Sequence, residues 1–374
     1  MTTIALPDAH DIARIPGASH LTRAQVDELG RELDAIRAEV MDSLGSADAA
    51  YIKRVIQMQR MLEVGGRAVL LGARRPAAFV VGTGMLALSK ILENMEIGHN
   101  VIHGQWDWMR DPDIHSTTWE WDFVAPAKGW KHTHNDVHHT WTNVVGKDRD
   151  VGYSVLRVSR EQPWEPRFLL NVPINAILAP FFEWGIAIYD LELDEVKAGR
   201  KSKKSLVDDL KAVGVKFARM VGKDYAGTPL LAHLATRSGP TALLGTFLAN
   251  TIRNIWAHTV IFCGHFPDEV ESFPEESIEG ENRGDWYIRQ MLGSANLTGG
   301  KLFHIMPGNL SHQIEHHLFP DMPSNRYAQV APKVQEICER YGLKYTAGPL
   351  HRQIAQTWRT IARLSLPDRL AVAR

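Results

Sequence analysis

The sequence predicts an all-α protein in which membrane-embedded helical hairpins carry a cytosolic helical cap with a histidine-rich centre. Three observations predict this architecture. The N-terminal region repeats apolar residues at helical spacing, three internal stretches are almost free of charge, and eight of the 17 histidines fall in three short clusters.

The composition excludes several classes of protein. The chain of 374 residues is 44% hydrophobic and 23% charged with a net charge of -1, so no charge excess indicates a nucleic-acid partner. The two cysteines, Cys263 and Cys338, form no CxxC pair, which excludes a zinc ribbon or a thioredoxin-like centre. No disulfide is expected. The mixed-charge N-terminus lacks the pattern of a signal peptide, so we expect internal segments to reach the membrane.

The first predicted element is an amphipathic helix within residues 21–64, with Thr22 as its N-cap. It serves as an interfacial anchor or packs on the domain, and packing is favoured. We therefore divide the chain into an N-terminal amphipathic segment (1–50), the main membrane domain (51–365) and a C-terminal tail (366–374).

The apolar stretches predict the membrane elements. Residues 77–89 carry no charge, residues 168–189 carry only Glu183, and residues 238–267 carry only Arg253. A helix needs about 20 residues to cross a bilayer core of about 30 Å, and the last two stretches reach that length.

Prolines and basic residues constrain the topology. Pro173 and Pro180 interrupt the second stretch and indicate that it enters the membrane and turns back. Ser238-Gly239-Pro240 is a turn that starts another hairpin. Because basic residues near membrane ends prefer the cytosol, residues 195–210 are expected on the cytosolic side.

Three histidine clusters predict a metal centre. Each contains an i,i+4 pair, which places two imidazoles on one face of a helix, and a further histidine about 100° away could reach a second ion. The clusters, called boxes one, two and three, are GHNVIH with His99 and His103, HNDVHH with His134, His138 and His139, and HQIEHH with His312, His316 and His317. Imidazole suits zinc, copper, iron and nickel alike. Eight imidazoles are too many for one zinc and fit two irons with solvent.

The motifs GHNVIHG, HNDVHHTWTN and HQIEHHLFP resemble the three histidine boxes of the integral-membrane fatty acid desaturases, over roughly residues 50–365. The segments ENMEIGHNVIHGQWDW, VIFCGHFPD and GSAN are similar to the mycobacterial acyl-CoA Δ9-desaturase branch. This resemblance implies a di-iron centre and one more histidine ligand between boxes two and three. His265, at the end of the last apolar stretch, is favoured for that place over His258.

The chain also departs from the family pattern. Box one has three intervening residues where animal acyl-CoA desaturases have four. Box three offers both His312 and Gln313, and front-end desaturases use glutamine at the second of these positions. The spacing of box two favours His312 as the ligand.

Further site residues are expected around the boxes. The candidates for supporting the ligands are Gln313, Asp136, Glu315, Asn254 and His258, with Asp148 and Asp150 after box two as further hydrogen-bond acceptors. The candidates for the walls of an acyl tunnel are Trp106, Trp119 and Trp121.

The implied activity is the O₂-dependent insertion of a cis double bond, at the Δ9 position, into a C16–C18 acyl-CoA. The implied cofactors are two iron ions with O₂ as co-substrate. No dinucleotide fingerprint is present, so NADPH electrons are expected through a separate flavin and iron–sulfur reductase. The site is expected to face the cytoplasm from the inner cell membrane. The alternatives are a di-iron hydroxylase of an acyl, alkane or sterol chain, and a metal-binding or transport protein without catalysis.

Overall fold

The computed structural model describes residues 15–368 and is built almost entirely of helices. Residues 1–14 and 369–374, which belong to the predicted N-terminal segment and C-terminal tail, lie outside the described residues. Two short strands, Asn296–Thr298 and Ala347–Pro349, pair in parallel. The α-helices are Arg23–Asp42, Ser46–Leu70, Pro76–Ile91, Asn100–Ile102, Ala127–Trp130, His139–Trp141, Asn171–Leu178, Phe182–Tyr189, Leu193–Lys197, Lys203–Met220, Thr228–Thr236, Gly239–His265, Arg283–Leu292, Lys301–Ile305, Gln313–Leu318, Tyr327–Arg340 and Leu350–Leu364. Three π-helical segments, Leu92–His99, Lys131–His138 and Val221–Gly227, directly follow the helices that end at Ile91, Trp130 and Met220.

The first helix, Arg23–Asp42, begins at the predicted N-cap Thr22. The Thr22 backbone N–H donates to the Gln25 side chain at 2.9 Å, and the Gln25 backbone N–H donates to the Thr22 hydroxyl at 3.3 Å. Its apolar face is buried against the helices Arg283–Leu292 and Tyr327–Arg340. These three helices, together with residues 127–141 and 313–318, are called the cap here. The first helix thus packs on the domain and is not a free interfacial anchor. The predicted helix over 21–64 is interrupted, because a new helix, Ser46–Leu70, starts after Gly45 and runs through residue 50.

Four long helices form a bundle, called the stalk here, made of Ser46–Leu70, Pro76–Ile102, 203–236 and Gly239–His265. They pack as two hairpins. The two hairpin turns meet, since the Arg74 backbone N–H donates to the Ser238 hydroxyl at 3.3 Å. Both returning helices therefore start at the same end of the stalk. They deliver box one and His265 to the opposite end, next to the cap.

One helix among the described residues, Pro76–Ile102, is long and apolar enough to cross a membrane. The segments Pro166–Leu178 and Phe182–Lys197 pass the same criterion together but bend by 117° at the break, as a broken span or a re-entrant loop would. That bend agrees with the predicted turn around Pro180. The helix Gly239–His265 does not pass, in contrast to the prediction, because polar side chains that are buried in the stalk lower its mean hydropathy.

Charged side chains buried in the stalk and against its flank form an ion network. Arg253 and Glu183, the single charges of two apolar stretches, pair with each other, and each side chain is only 1% exposed. The network consists of four cations and four anions in contact: Arg67, Lys90, Lys223, Arg253, Glu63, Asp122, Asp224 and Glu183. Pairing removes most of the cost of burying isolated charges. These charges therefore join the helices of the stalk and do not face lipid.

Large apolar residues are exposed on the outside of the stalk and on the neighbouring bent segments. Examples are Val80, Leu234, Phe247, Ile252 and Leu170, which are 43–68% exposed. Many large apolar side chains exposed on the same helices are the pattern of a membrane contact. Cys263 and Cys338 are both free and buried, as expected from the absence of a predicted disulfide.

Candidate metal centre

Seven of the nine predicted histidine ligands converge in two buried groups among the described residues. The first group joins His99 and His103 of box one to the two other boxes. Its ring centroids lie 4.6 Å apart between His99 and His103, 5.3 Å between His99 and His134, and 4.9 Å between His99 and His316.

The second group consists of His138, His265 and His317. Its ring centroids are 4.8–5.0 Å apart in all three pairs. Within each group one ligand atom per residue lies within 4.8 Å of all the others, which is the arrangement of donors around a single ion.

His139 lies between the two groups. Its ring is 4.7 Å from that of His316 and 4.4 Å from that of His317, and both of its nitrogens are buried without a hydrogen-bond partner. The three histidines of box two thus reach the first group, the second group and the space between them.

The local backbone explains how adjacent histidines diverge in this way. His99, His134 and His138 lie in π-helical turns, where the wider winding differs from the α-helical spacing assumed for the boxes. π-helical turns occur frequently at functional sites. In box three the helix is α-helical and begins only at Gln313, with His312 as its N-cap residue.

The outward nitrogen of five of these histidines faces an oxygen atom. The Nδ1 atoms of His99, His134, His138, His316 and His317 lie 2.9–3.4 Å from Asn100, Asp150, Asp148, Tyr327 and Gln290, respectively. An Nδ1–H that donates outward leaves the Nε2 lone pair for an ion. The predicted roles of Asp148 and Asp150 agree with these contacts, whereas no local motif pointed to Gln290 or Tyr327.

Electrostatics reinforce this arrangement. Burial alone would lower the pKa of His138, but the carboxylates of Asp148 and Asp150 raise it above the ordinary value. Burial also raises the pKa of Asp150 to about 6. The two carboxylates therefore stabilise positive charge close to the second group.

The inward nitrogens fit a metal. The Nε2 atoms of His103, His134 and His316 are buried without a partner. The Nε2 atoms of His265 and His317 lie 3.2 Å apart. Buried polar atoms without partners destabilise a fold unless a ligand satisfies them, and imidazole nitrogens suit transition metals. The residues present therefore fit two metal ions, one in each group.

The structure separates His265 from its competitor. His265 lies in the second group, while the Nε2 of His258 lies 2.9 Å from the Asn175 side chain and its ring stacks on Phe262. The interpretation of His258 as a buried helix residue fits this packing.

Box three departs from its expected geometry, because His312 lies outside both groups. Its ring stacks on His304 with centroids 4.6 Å apart, and its Nδ1 lies 3.8 Å from Glu315. Gln313 instead reaches the second group, with its Nε2 3.0 Å from the Nε2 of His265 and its Oε1 buried without a partner. The reason is the helix start at Gln313, which places Gln313, His316 and His317 on the helix and leaves His312 outside it.

The other predicted supporting residues contact different parts of the cap. Asp136 is exposed at 73% and lies near His132, away from both groups. Glu315 is buried, accepts hydrogen bonds from Asn296 and Tyr345, and has its pKa raised to about 7 by burial. Asn254 donates to the carbonyl of Pro180 at 2.9 Å. None of these three side chains contacts the histidines of the two groups.

A small cavity of about 40 Å³ adjoins the first group. His99 and His134 form part of its wall, and the rest consists mostly of apolar side chains, including Trp121, Phe123 and Phe182. This cavity is called the acyl cavity below, after the chain that we propose it holds. The lining of such a cavity suits an apolar chain.

The three predicted tunnel tryptophans have different positions. Trp121 lines the acyl cavity, as expected. Trp119 lines a separate, charged outer pocket. Trp106 is fully buried against Tyr51 of the stalk helix Ser46–Leu70. Trp130, which is not among the three named tunnel candidates, also lines the cavity and stacks on His134 with the ring centroids 4.2 Å apart.

Two histidine groups at the end of an apolar helical stalk, beside an apolar cavity, define a histidine-ligated metal enzyme that acts on an apolar chain. The family model "Fatty acid desaturase" matches residues 75–349, and the chain belongs to this family.

Relatives within the family refine the comparison. The chain is 50% identical over 352 residues to the NADPH-dependent stearoyl-CoA 9-desaturase of Mycobacterium tuberculosis strains CDC 1551 and H37Rv, which covers 94% of this chain and 82% of the relative. It is 25% identical to the sn-1 linoleoyl-lipid 6-desaturase of Synechocystis, over 75% of this chain and 79% of the relative. Human fatty acid desaturase 3 is 28% identical over 60% of this chain and 47% of the relative.

Removing one histidine from each group tests the assignment. We expect His316→Ala and His138→Ala each to weaken binding of one metal by at least about 10-fold, the size of effect seen when metal-site residues are lost. His132→Ala is the matched control, because this histidine belongs to neither group. The measurement is metal content per protein by mass spectrometry, with the melting temperature to verify folding. Full metal content in both variants would contradict the two-group assignment.

Proposed function

We propose that the protein is an O₂-dependent acyl-CoA desaturase that introduces a cis double bond at carbons 9 and 10 of a C16–C18 chain. The observation that carries the proposal is the presence of two histidines of the first group, His99 and His134, in the wall of the acyl cavity. The mycobacterial relative, which matches almost the whole chain, supports the substrate and the bond position.

Two irons are proposed as the metals, with a nearly all-imidazole shell of His99, His103, His134, His138, His139, His265, His316 and His317. Bound there, they would activate O₂ for the removal of hydrogen from an unactivated methylene. The protein itself would position the acyl chain and exclude water from the site. Trp130 and Met95 shield the apolar side of His99, while Asp148, Gln290 and Tyr327 hold the imidazole rings in place.

The cavity wall orients the substrate. One part of it is apolar, with Met95, Phe182 and Ile186, and another part is polar, with Thr133 and Asp190. Asp190 also lines an outer polar pocket of about 470 Å³, whose wall has both basic and acidic side chains. The basic ones are Lys128, Arg200 and Lys201, and the acidic ones besides Asp190 are Glu192, Glu195 and Asp209. We propose that the polar carrier of the acyl chain occupies this outer side, because burying it in the apolar part would cost its hydration.

Electrons are proposed to come from NADPH through a separate flavin and iron–sulfur reductase. The mycobacterial relative is named as NADPH-dependent. Direct transfer from NADPH would require a dinucleotide site, and the sequence carries no Gly-rich fingerprint for one.

Product analysis tests the proposed function. The purified protein with iron, O₂, an NADPH reductase system and stearoyl-CoA should form the 9,10 cis-unsaturated product, identified by mass spectrometry after derivatisation of the double bond. A hydroxylated product would establish the rival hydroxylase activity. Metal binding without any O₂ consumption would favour a non-catalytic protein.

Gln313 is proposed as the box-three ligand of the second ion, in place of His312. Its amide reaches His265, whereas His312 packs on His304. The pair Gln313→Ala and His312→Ala offers a matched comparison of neighbouring residues. We expect Gln313→Ala to lower metal content and turnover by about 10-fold and His312→Ala to change metal content little. The opposite ranking would restore His312 as the ligand.

We propose that the stalk lies in the inner cell membrane, with its two hairpin turns outside and the metal centre in the cytoplasm. The exposed apolar surface supports the membrane contact, and the bond between the turns puts both turns on one side of it. Five basic residues between positions 197 and 204 favour the cytosol for the opposite end. Residues 195–210 then begin the outward helix on the cytosolic side.

Thiol labelling in intact cells tests the orientation. Ser202→Cys, at the exposed start of the helix Lys203–Met220, should resist a membrane-impermeant reagent. Arg75→Cys, in a hairpin turn at the other end of the stalk, should react readily and serves as the matched control. The native cysteines are buried and contribute little background. Labelling of Ser202→Cys but not of Arg75→Cys would reverse the proposed orientation.

A further inference from the structure

The wall of the acyl cavity contains a loop, residues 121–124, that forms no helix or strand. Trp121 and Phe123 point their rings at the cavity, 4.8 Å apart. Without helix or strand hydrogen bonds, the side chains of this loop are fixed in place only by contacts with neighbouring elements. The contacts of this loop therefore bear on the shape of the cavity.

The buried pair Arg253–Glu183 holds three consecutive residues of this loop. The Arg253 guanidinium donates to the carbonyl of Asp122 at 3.3 Å and lies 4.9 Å from the centre of the Phe123 ring. Glu183 accepts a hydrogen bond from the Val124 backbone N–H at 3.0 Å. One ion pair thus fixes the backbone on both sides of Phe123 and stacks on its ring.

The ion network keeps this pair in place. The Asn250 side chain accepts from Arg253 at 3.3 Å and donates to Asp224 at 3.1 Å, and Asp224 binds Lys90 at 2.6 Å. Lys90 in turn lies 3.2 Å from the Asp122 carboxylate. The loop is therefore tied to two stalk helices by side chains that are themselves paired.

These contacts also locate Phe123 relative to the metal centre. Arg253 precedes His265 by 12 residues on the α-helix Gly239–His265, a rise of roughly 18 Å at 1.5 Å per residue. Because the Arg253 guanidinium lies 4.9 Å from the centre of the Phe123 ring, Phe123 lies down the stalk from the second histidine group. Phe182, which precedes Glu183 in the chain, is an apolar part of the same cavity wall and suits a methyl end.

We propose that Phe123, held by the Arg253–Glu183 pair, closes the far end of the acyl cavity and sets the longest chain that places its reacting carbons at the metal centre. The inference rests on the proposed function and names a specificity determinant for it. Phe123 is the end wall, and Arg253 is a positioning residue that acts through it.

The direct test removes the Phe123 ring from the end of the cavity. Phe123→Ala should raise kcat/KM for C20 and C22 acyl-CoA relative to stearoyl-CoA by roughly 10-fold or more, since each methylene that fits or clashes in an apolar pocket changes discrimination by about that factor. Phe123→Leu is the second, milder variant, which keeps an apolar side chain if the alanine variant folds poorly. Its shift should have the same direction and a smaller size.

The positioning role of Arg253 is tested with a separate variant and a control. Arg253→Lys keeps the charge beside Glu183 but loses the planar group over Phe123 and the forked hydrogen bonds. It should weaken the preference for C18 over C20 chains while metal content stays at the wild-type level. Ile252→Ala, an adjacent residue whose side chain is exposed on the lipid-facing side, should leave the chain-length profile unchanged.

A binding measurement separates this inference from the proposed function. Saturated acyl-CoAs of C16 to C22 are added without reductase, and the rise in melting temperature is recorded for each length. In the wild-type protein the rise should be greatest at C16–C18, and in Phe123→Ala the maximum should move to longer chains. An unchanged profile in both Phe123 variants, with normal desaturation by the wild type, would overturn the inference alone. Failure of the wild type to desaturate any length would overturn the proposed function.

Discussion

The structure depends on bringing imidazoles from four distant segments into one buried space. Box one and His265 arrive on the two returning stalk helices, and boxes two and three arrive from the cap. Unpartnered polar nitrogens are costly in a protein interior. Metal ions bound there would complete the bonding of these nitrogens. The stalk hairpins, the π-helical turns and the outward acceptors all serve this convergence.

The hydrogen-bond acceptors around the imidazoles differ in charge between the two histidine groups. The carboxylate of Asp148 stands beside the second group, and that of Asp150 lies between the two groups. The Nδ1 atoms of His99 and His316 face neutral oxygens. Asp150 reaches both groups through His134 and His138. The two ions would therefore experience unequal local charge although both are bound mainly by neutral imidazole.

The stalk combines two requirements that normally conflict. Its outside is apolar enough to contact lipid, yet its interior and flank contain eight charged side chains. Because cations and anions are equal in number and in contact, these charges act as internal cross-links between helices. The same network supports the loop that carries Phe123, so the packing of the stalk also shapes the substrate cavity.

The amino-acid sequence by itself determined the features that depend on local spacing. It predicted the helical class, the N-cap at Thr22 and the bend at Pro180, and it identified the histidine clusters. Short-range patterns carry this information because the backbone period and the turn residues are properties of neighbouring positions.

Only the tertiary structure decided which side chains share a space. It placed Gln313 beside His265 and His312 beside His304, because the box-three helix starts one residue later than the box spacing implied. It also exposed Asp136 and buried Trp106 away from the cavity. Contacts such as Gln290 with His317, or Arg253 with Phe123, join residues far apart in the chain. No local period encodes such contacts, because they depend on how whole helices pack.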